Sequence, residues 1–147
     1  MADYDSFIKK YNEISYEIDL LYTQYAASCS LSDSEIWILY LIVENDGETT
    51  QSEVCKAFSQ NRKTINSAVS KLEKNGVLVK KSGEGKKVLL SLTEKGRSLA
   101  KKTVLPLMEA EKMTIKDWSQ EEKNMLLLLT KKYCDDFKSR LKEMGER

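Results

Sequence analysis

Between residues 61 and 74, Arg62, Lys63, Asn66, Ser67, Ser70, Lys71 and Lys74 recur at helical steps, and every one is a cation, an amide or a hydroxyl. Ile65, Ala68, Val69 and Leu72 take the opposite face, so the pattern predicts an amphipathic helix with a donor-rich side. The chemistry open to such a side is recognition. An arginine can pair bidentately with guanine and an asparagine with adenine, while lysines and hydroxyls meet phosphate. Arg62, Lys63, Asn66 and Ser67 occupy the first half of the helix, the part that reaches base edges when a helix lies in a major groove. Ser70, Lys71 and Lys74 follow on the same side and are expected to meet the backbone.

The charge distribution supports a polyanionic partner. Residues 1–53 hold 2 lysines against 11 acids, residues 54–102 hold 13 basic residues against 3 acids, and residues 103–147 hold 9 of each sign. A formal net charge of +1 therefore conceals a middle segment that is strongly basic. Neutralising phosphates with such a segment releases counterions and supplies much of the affinity for nucleic acid.

Other chemistries find little support. The chain has no histidine, so the commonest general base and metal ligand are missing, and no GxSxG, P-loop or GxGxxG pattern replaces them. No catalytic residue, metal site or cofactor is expected. Cys29, Cys55 and Cys134 are odd in number and lack metal spacing, which argues against a disulfide framework. Cys55 and Cys134 read as small buried or half-buried residues. No run approaches the roughly 18 apolar residues of a membrane span, and the first 20 residues alternate charged and apolar side chains, unlike a signal peptide. A cytoplasmic protein with no membrane partner is expected.

The elements that must position the donor-rich helix can be read in order. Residues 3–28 place Phe7, Tyr11, Ile14, Ile18 and Tyr25 on one stripe of a long helix. Ser32-Asp33-Ser34-Glu35 is a capping box opening an almost wholly apolar, central helix that ends at Asn45-Asp46-Gly47. Thr50-Gln51-Ser52-Glu53 opens a short helix with Val54, Ala57 and Phe58 inward, and after a turn at Ser59-Gln60, Asn61 caps the donor-rich helix. Asn75-Gly76 ends it, and residues 77–81 and 87–92 form a hairpin around a Gly-containing spacer. A helix from Thr93 toward Met113 contains Pro106, where a kink or break is expected. Ser119-Gln120-Glu121-Glu122 opens a last helix with Leu126, Leu129, Tyr133 and Phe137 at helical spacing.

Leu31-Ser32 with Trp37 and Leu39, Thr50-Gln51-Ser52-Glu53, Thr64-Ile65, Leu72-Glu73-Lys74-Asn75-Gly76 and Ser91-Leu92-Thr93-Glu94-Lys95-Gly96-Arg97 follow one another in an order that resembles the MarR (multiple antibiotic resistance regulator) family of bacterial transcription factors. The resemblance spans almost the whole chain. It implies a mainly α fold with a small β-hairpin wing, in which a winged helix-turn-helix core is flanked by N- and C-terminal dimerisation helices. The expected division is a dimerisation helix in 1–30, the DNA-binding domain in 31–97, and helices completing the dimerisation region in 98–147. It further implies a homodimer on a pseudo-palindromic double-stranded DNA operator, acting as a repressor released by a small ligand or a stress signal.

On this reading the DNA-facing set is Asn61, Arg62, Lys63, Thr64, Asn66, Ser67, Ser70, Lys71 and Lys74, with Gln51 and Ser52 at a helix start and Lys81, Lys86 and Lys87 on the wing. The dimerisation set is Phe7, Tyr11, Ile14 and Ile18 with Leu126, Leu129, Tyr133 and Phe137. The family's wing carries an Asp-x-Arg pattern near its tip, where this chain has Glu84-Gly85-Lys86. Lysine suits a narrow minor groove less well than arginine, so the wing is expected to hold phosphates and contribute less sequence preference. Relatives that respond to small aromatic effectors suggest Tyr25, Trp37 and Tyr40 as pocket residues, and relatives that sense oxidants point to Cys29 as the basis of an alternative, redox-sensing regulator. A winged-helix adaptor making protein contacts is the other alternative, which the basic middle disfavours.

Overall fold

The helix starts are set by side chains that turn back on their own first turn. In a computed structural model describing residues 2–57, 62–85 and 87–145, the Ser32 amide donates to Glu35 Oε2 at 2.9 Å while the Glu35 amide donates to Ser32 Oγ at 3.2 Å. Thr50 and Glu53 exchange the same pair at 2.8 and 3.1 Å, and Ser119 and Glu122 at 2.7 and 3.1 Å. Each box satisfies two amides that a helix leaves without partners. The elements are α1 (Ala2–Ser28), α2 (Asp33–Glu44), β1 (Glu48–Thr50), α3 (Gln51–Ala57), α4 (Arg62–Lys74), β2 (Leu78–Ser82), β3 (Val88–Leu92), α5 (Glu94–Thr114) and α6 (Gln120–Gly145). Asn61, Phe58, Ser59, Gln60 and Lys86 lie outside the described residues.

The chain divides into two units, residues 1–106 and 107–147. In the first, α2 is the hub. Ile36, Ile38, Leu39 and Ile42 are buried, and the helix packs on α1, α4, β1 and β3. Ile65, Val69 and Leu72 turn the apolar face of α4 inward, and Val54 does the same for α3, but Ala57, expected inward, is exposed. A short third strand that the sequence reading missed adds to the hairpin. The sheet order is β1-β3-β2, fully antiparallel, with Thr49 opposite Leu90 and Leu78 opposite Leu92. β1 spans only Glu48–Thr50 and runs directly into a capping box, so it offers too little alternation to be seen as a strand.

The break expected at Pro106 does not occur, because α5 continues through it. Pro106 and Lys102, whose carbonyl loses its amide partner, are both exposed, so water can take up the missing bond. In the second unit α6 buries none of its described residues, and Leu126 to Leu129 stand 52–70% exposed. Along α1, Phe7, Ile14 and Ile18 are 48–65% exposed. No single described helix is long and apolar enough to cross a membrane.

The end of α4, the hairpin and the start of α5 meet at one tight junction. α4 ends with Gly76 in the left-handed region (φ +70) and the Val77 amide returning to the Leu72 carbonyl at 2.9 Å. Thr93 Oγ1 donates to the Gly76 and Val77 carbonyls at 2.6 and 3.1 Å and accepts from the Gly96 amide at 3.0 Å. A Cβ on Gly96 would stand 1.9 Å from the Val77 carbonyl oxygen, a backbone atom that cannot swing aside. Gly96→Ala is therefore expected to destabilise the fold by about 3 kcal/mol through overpacking, read as a lowered urea midpoint. An unchanged midpoint would show that the junction is slack.

Candidate nucleic-acid interface

α4 presents the donor-rich side outward. Arg62, Lys63, Asn66, Ser67 and Ser70 line one open concavity, and Thr64 and Lys74 are also exposed. A second groove joins α3, the start of α4 and the wing, lined among others by Gln51, Ser52, Lys56, Arg62, Glu84 and Lys87. Arg62 borders both, so the fold brings together the helix, the α3 start and the wing lysine that the sequence assigned to one partner. Gln51 Nε2 donates to Asn66 Oδ1 at 2.8 Å, which orients the Asn66 amide from the neighbouring helix. The start of α3 is itself held firmly. The Thr50 amide, then the Thr50 and Thr49 hydroxyls, keep the Glu53 carboxyl below its ordinary range.

Not every lysine of the set is equally available. Lys71 Nζ donates to Glu35 Oε2 at 3.0 Å; the Lys71 side chain is 60% exposed and that of Glu35 only 3%. Lys81 pairs with Glu48 at 3.6 Å, and the same Glu48 oxygen accepts from the Ser91 hydroxyl. Glu73, the acid of α4, pairs with Lys80 at 3.1 Å. Lys87 lines both the inter-element groove and a concavity along the wing shared with Lys80 and Lys81. Asn61 and Lys86 lie outside the described residues.

Of the residues suggested for a small-molecule cleft, Trp37 and Tyr40 lie together on α2, whereas Tyr25 on α1 bonds to α5. Trp37 lies against Tyr22 and Tyr40, with ring centroids 4.8 and 5.3 Å apart. Tyr25 donates its hydroxyl to the Thr103 carbonyl at 2.7 Å, and burial, then the neighbouring Cys29 thiol, pushes its phenol above the ordinary value. Cys29 and Cys55 are half-buried, whereas Cys134 is exposed on α6, contrary to its expected burial, as α6 buries none of its described residues.

Comparison with known proteins adds the decisive likeness. A model described as the MarR family matches residues 30–87, the stretch from the turn before α2 to the residue before β3. A MarR-family transcriptional regulator from Listeria monocytogenes, solved with 26mer DNA, is 26% identical over 88% of this chain and 87% of its own, with a TM-score of 0.68. Residues 30–87 are similar to the MarR family. The MarR-family regulator NMB1585 from Neisseria meningitidis shares the fold at 19% identity, covering 91% of this chain and 97% of that one, with a TM-score of 0.75. So does the MepR–DNA complex of S. aureus, at 18% identity, 86% and 93% coverage and a TM-score of 0.70. No curated protein matches the chain.

Within the stretch similar to that family, sequence reasoning missed Lys56 and the acids that tether Lys71, Lys80 and Lys81. Lys56 was visible only as a cation in the last turn of a short helix. The tethers join residues far apart in the chain and leave no spacing signal. Burial works to raise the Glu35 carboxyl, but the Ser32 amide and the Lys71 ammonium outweigh it and hold the group below its ordinary value of 4.5. A carboxylate with a depressed folded-state pKa contributes stability that is present above its unfolded value and lost as pH falls through the folded one. Urea midpoints of the wild type should thus fall on acidification from above 4.5 to well below it, and Glu35→Gln should lose less over that window. Equal losses would mean that Glu35 is not held as its geometry indicates.

Proposed function

We propose that the chain is a sequence-specific, DNA-binding transcriptional regulator that acts as a homodimer on a pseudo-palindromic operator, a repressor released by a small ligand or stress signal. The observation that carries this reading is the exposed face of α4, where Arg62, Lys63, Asn66, Ser67 and Ser70 lie together beside the groove shared with α3 and the wing. The Listeria and S. aureus proteins were solved with DNA, which supports the same partner here. On this reading α4 enters the major groove, Arg62 and Asn66 read base edges, and Gln51, Ser52 and Lys87 hold phosphates. Selection of bound genomic fragments followed by a salt series tests it: an enriched two-fold site and a steep salt dependence are expected. Fragments with no shared motif would sink it.

Arg62→Ala is expected to relax preference at one base pair per half-site, costing about 1 to 3 kcal/mol. Equal weakening on matched and mismatched sites would instead make Arg62 a backbone contact.

Dimerisation is supported by the apolar stripes of α1 and α6. Phe7, Ile14, Ile18, Leu126, Leu129 and Phe137 stay exposed in the single chain, with Tyr11 and Tyr133 on the same helices. Patches of this kind mark protein interfaces. Leu129→Asp should convert a dimer into a monomer by light scattering while helical content persists. A wild type that is already monomeric at micromolar concentration would refute the dimer. The effector cleft is assigned to the neighbourhood of Tyr25, Trp37 and Tyr40, whose aromatic rings and anchored hydroxyl suit a small aromatic compound.

A further inference from the structure

We infer that Glu35 is a positioning residue for DNA recognition: its ion pair with Lys71 holds the reading helix in register on α2 and keeps the Lys71 ammonium away from phosphate. The inference rests on the DNA-binding reading above.

Three observations carry it. The Glu35 side chain has almost no solvent around it, so its charge must be met within the fold, and the same Oε2 takes both the Ser32 amide at 2.9 Å and the Lys71 ammonium at 3.0 Å. The other buried contacts of α4 come from Ile65, Ala68, Val69 and Leu72, whose burial is non-directional, and its other side-chain bonds to neighbouring elements, Gln51–Asn66 and Glu73–Lys80, lie at the exposed surface. Apolar packing sets how close the helix lies, whereas a charge-assisted hydrogen bond has a direction and can set its rotation. Lys71 stands one turn beyond Ser67 on α4, so a rotation that breaks the pair also moves Asn66 and Ser67. Glu35 in turn belongs to the capping box that starts α2, so the reading helix is referred to the end of the hub and not to a flexible side chain.

The test uses the full chain, a selected operator fragment, an unrelated duplex of equal length and a salt series. Wild type must prefer the operator; if it does not, the DNA-binding reading fails and takes this inference with it. Lys71→Met is expected to weaken operator binding several-fold, leave the unrelated duplex unaffected and keep the salt slope. If Lys71 is a phosphate contact, both duplexes weaken alike and the slope falls by about 0.9 per bound chain, which overturns the inference alone. Glu35→Gln retains a capping box, since glutamine serves there as well as glutamate, and releases Lys71. Its operator preference should drop while its salt slope steepens by about 0.9 per bound chain. A Glu35→Gln protein with wild-type preference and slope also overturns the inference. Lys71→Arg should restore the preference that Lys71→Met loses. Should Lys71→Met fail to fold, the Glu35→Gln/Lys71→Met pair leaves no buried charge unmatched and must show the same reduced preference.

Discussion

Everything in the N-terminal unit follows from the need to cover α2. Its sequence EIWILYLIVE is apolar nearly all the way round, and a helix of that kind is stable only when several neighbours exclude water from it. α1, α4 and the sheet supply that cover. Covering α2 uses the apolar face of α4 and leaves its polar face no choice but to point outward. The polar face of α4 is therefore the remainder of a packing problem: the residues that cannot help to bury α2 are those left at the surface.

Electrostatics then sorts the basic residues that this arrangement exposes. The middle of the chain is rich in cations, yet Lys71, Lys80 and Lys81 are each met by an acid, two of them from the acidic N-terminal segment. Exposed pairs of this type are worth little for stability, on the order of 0 to 1 kcal/mol, so the Lys80 and Lys81 pairs matter more for where charge points than for holding the sheet. Glu35 differs because it is buried, and an unmatched carboxylate there would be costly. The cations of this segment therefore do not all stand equally free at the surface, and the charge it presents outward is narrower than composition suggests.

The local features were readable from sequence because they rest on local physics. Capping boxes at Ser32, Thr50 and Ser119 need only residues three apart, and the periodicity of residues 62–74 separates the two faces of α4 without any tertiary knowledge. What escaped depended on distance along the chain. β1 became a strand only because β3 lies beside it, with Thr49 opposite Leu90. The Glu35–Lys71 and Glu48–Lys81 pairs join elements that no spacing rule connects. Of the kink or break expected at Pro106, the break is absent for a related reason: the cost of an interior proline depends on whether water can reach the orphaned carbonyl, which only the exposure of Lys102 reveals.

The exposed leucines of α6 constrain what must cover them. Leu126, Leu127, Leu128 and Leu129 are consecutive, and at 3.6 residues per turn four successive side chains spread over roughly 300° of the helix circumference. A single helix laid alongside would bury one side and leave the others wet. Their burial calls for neighbours on more than one side, as in a helix inserted among several others, not one docked on a flat surface. The same logic explains why α1 retains a stripe while α6 is apolar around much of its girth at this point. A cover of that kind could be removed only with loss of much of the apolar burial, so whatever encloses this stretch of α6 must do so on several sides at once.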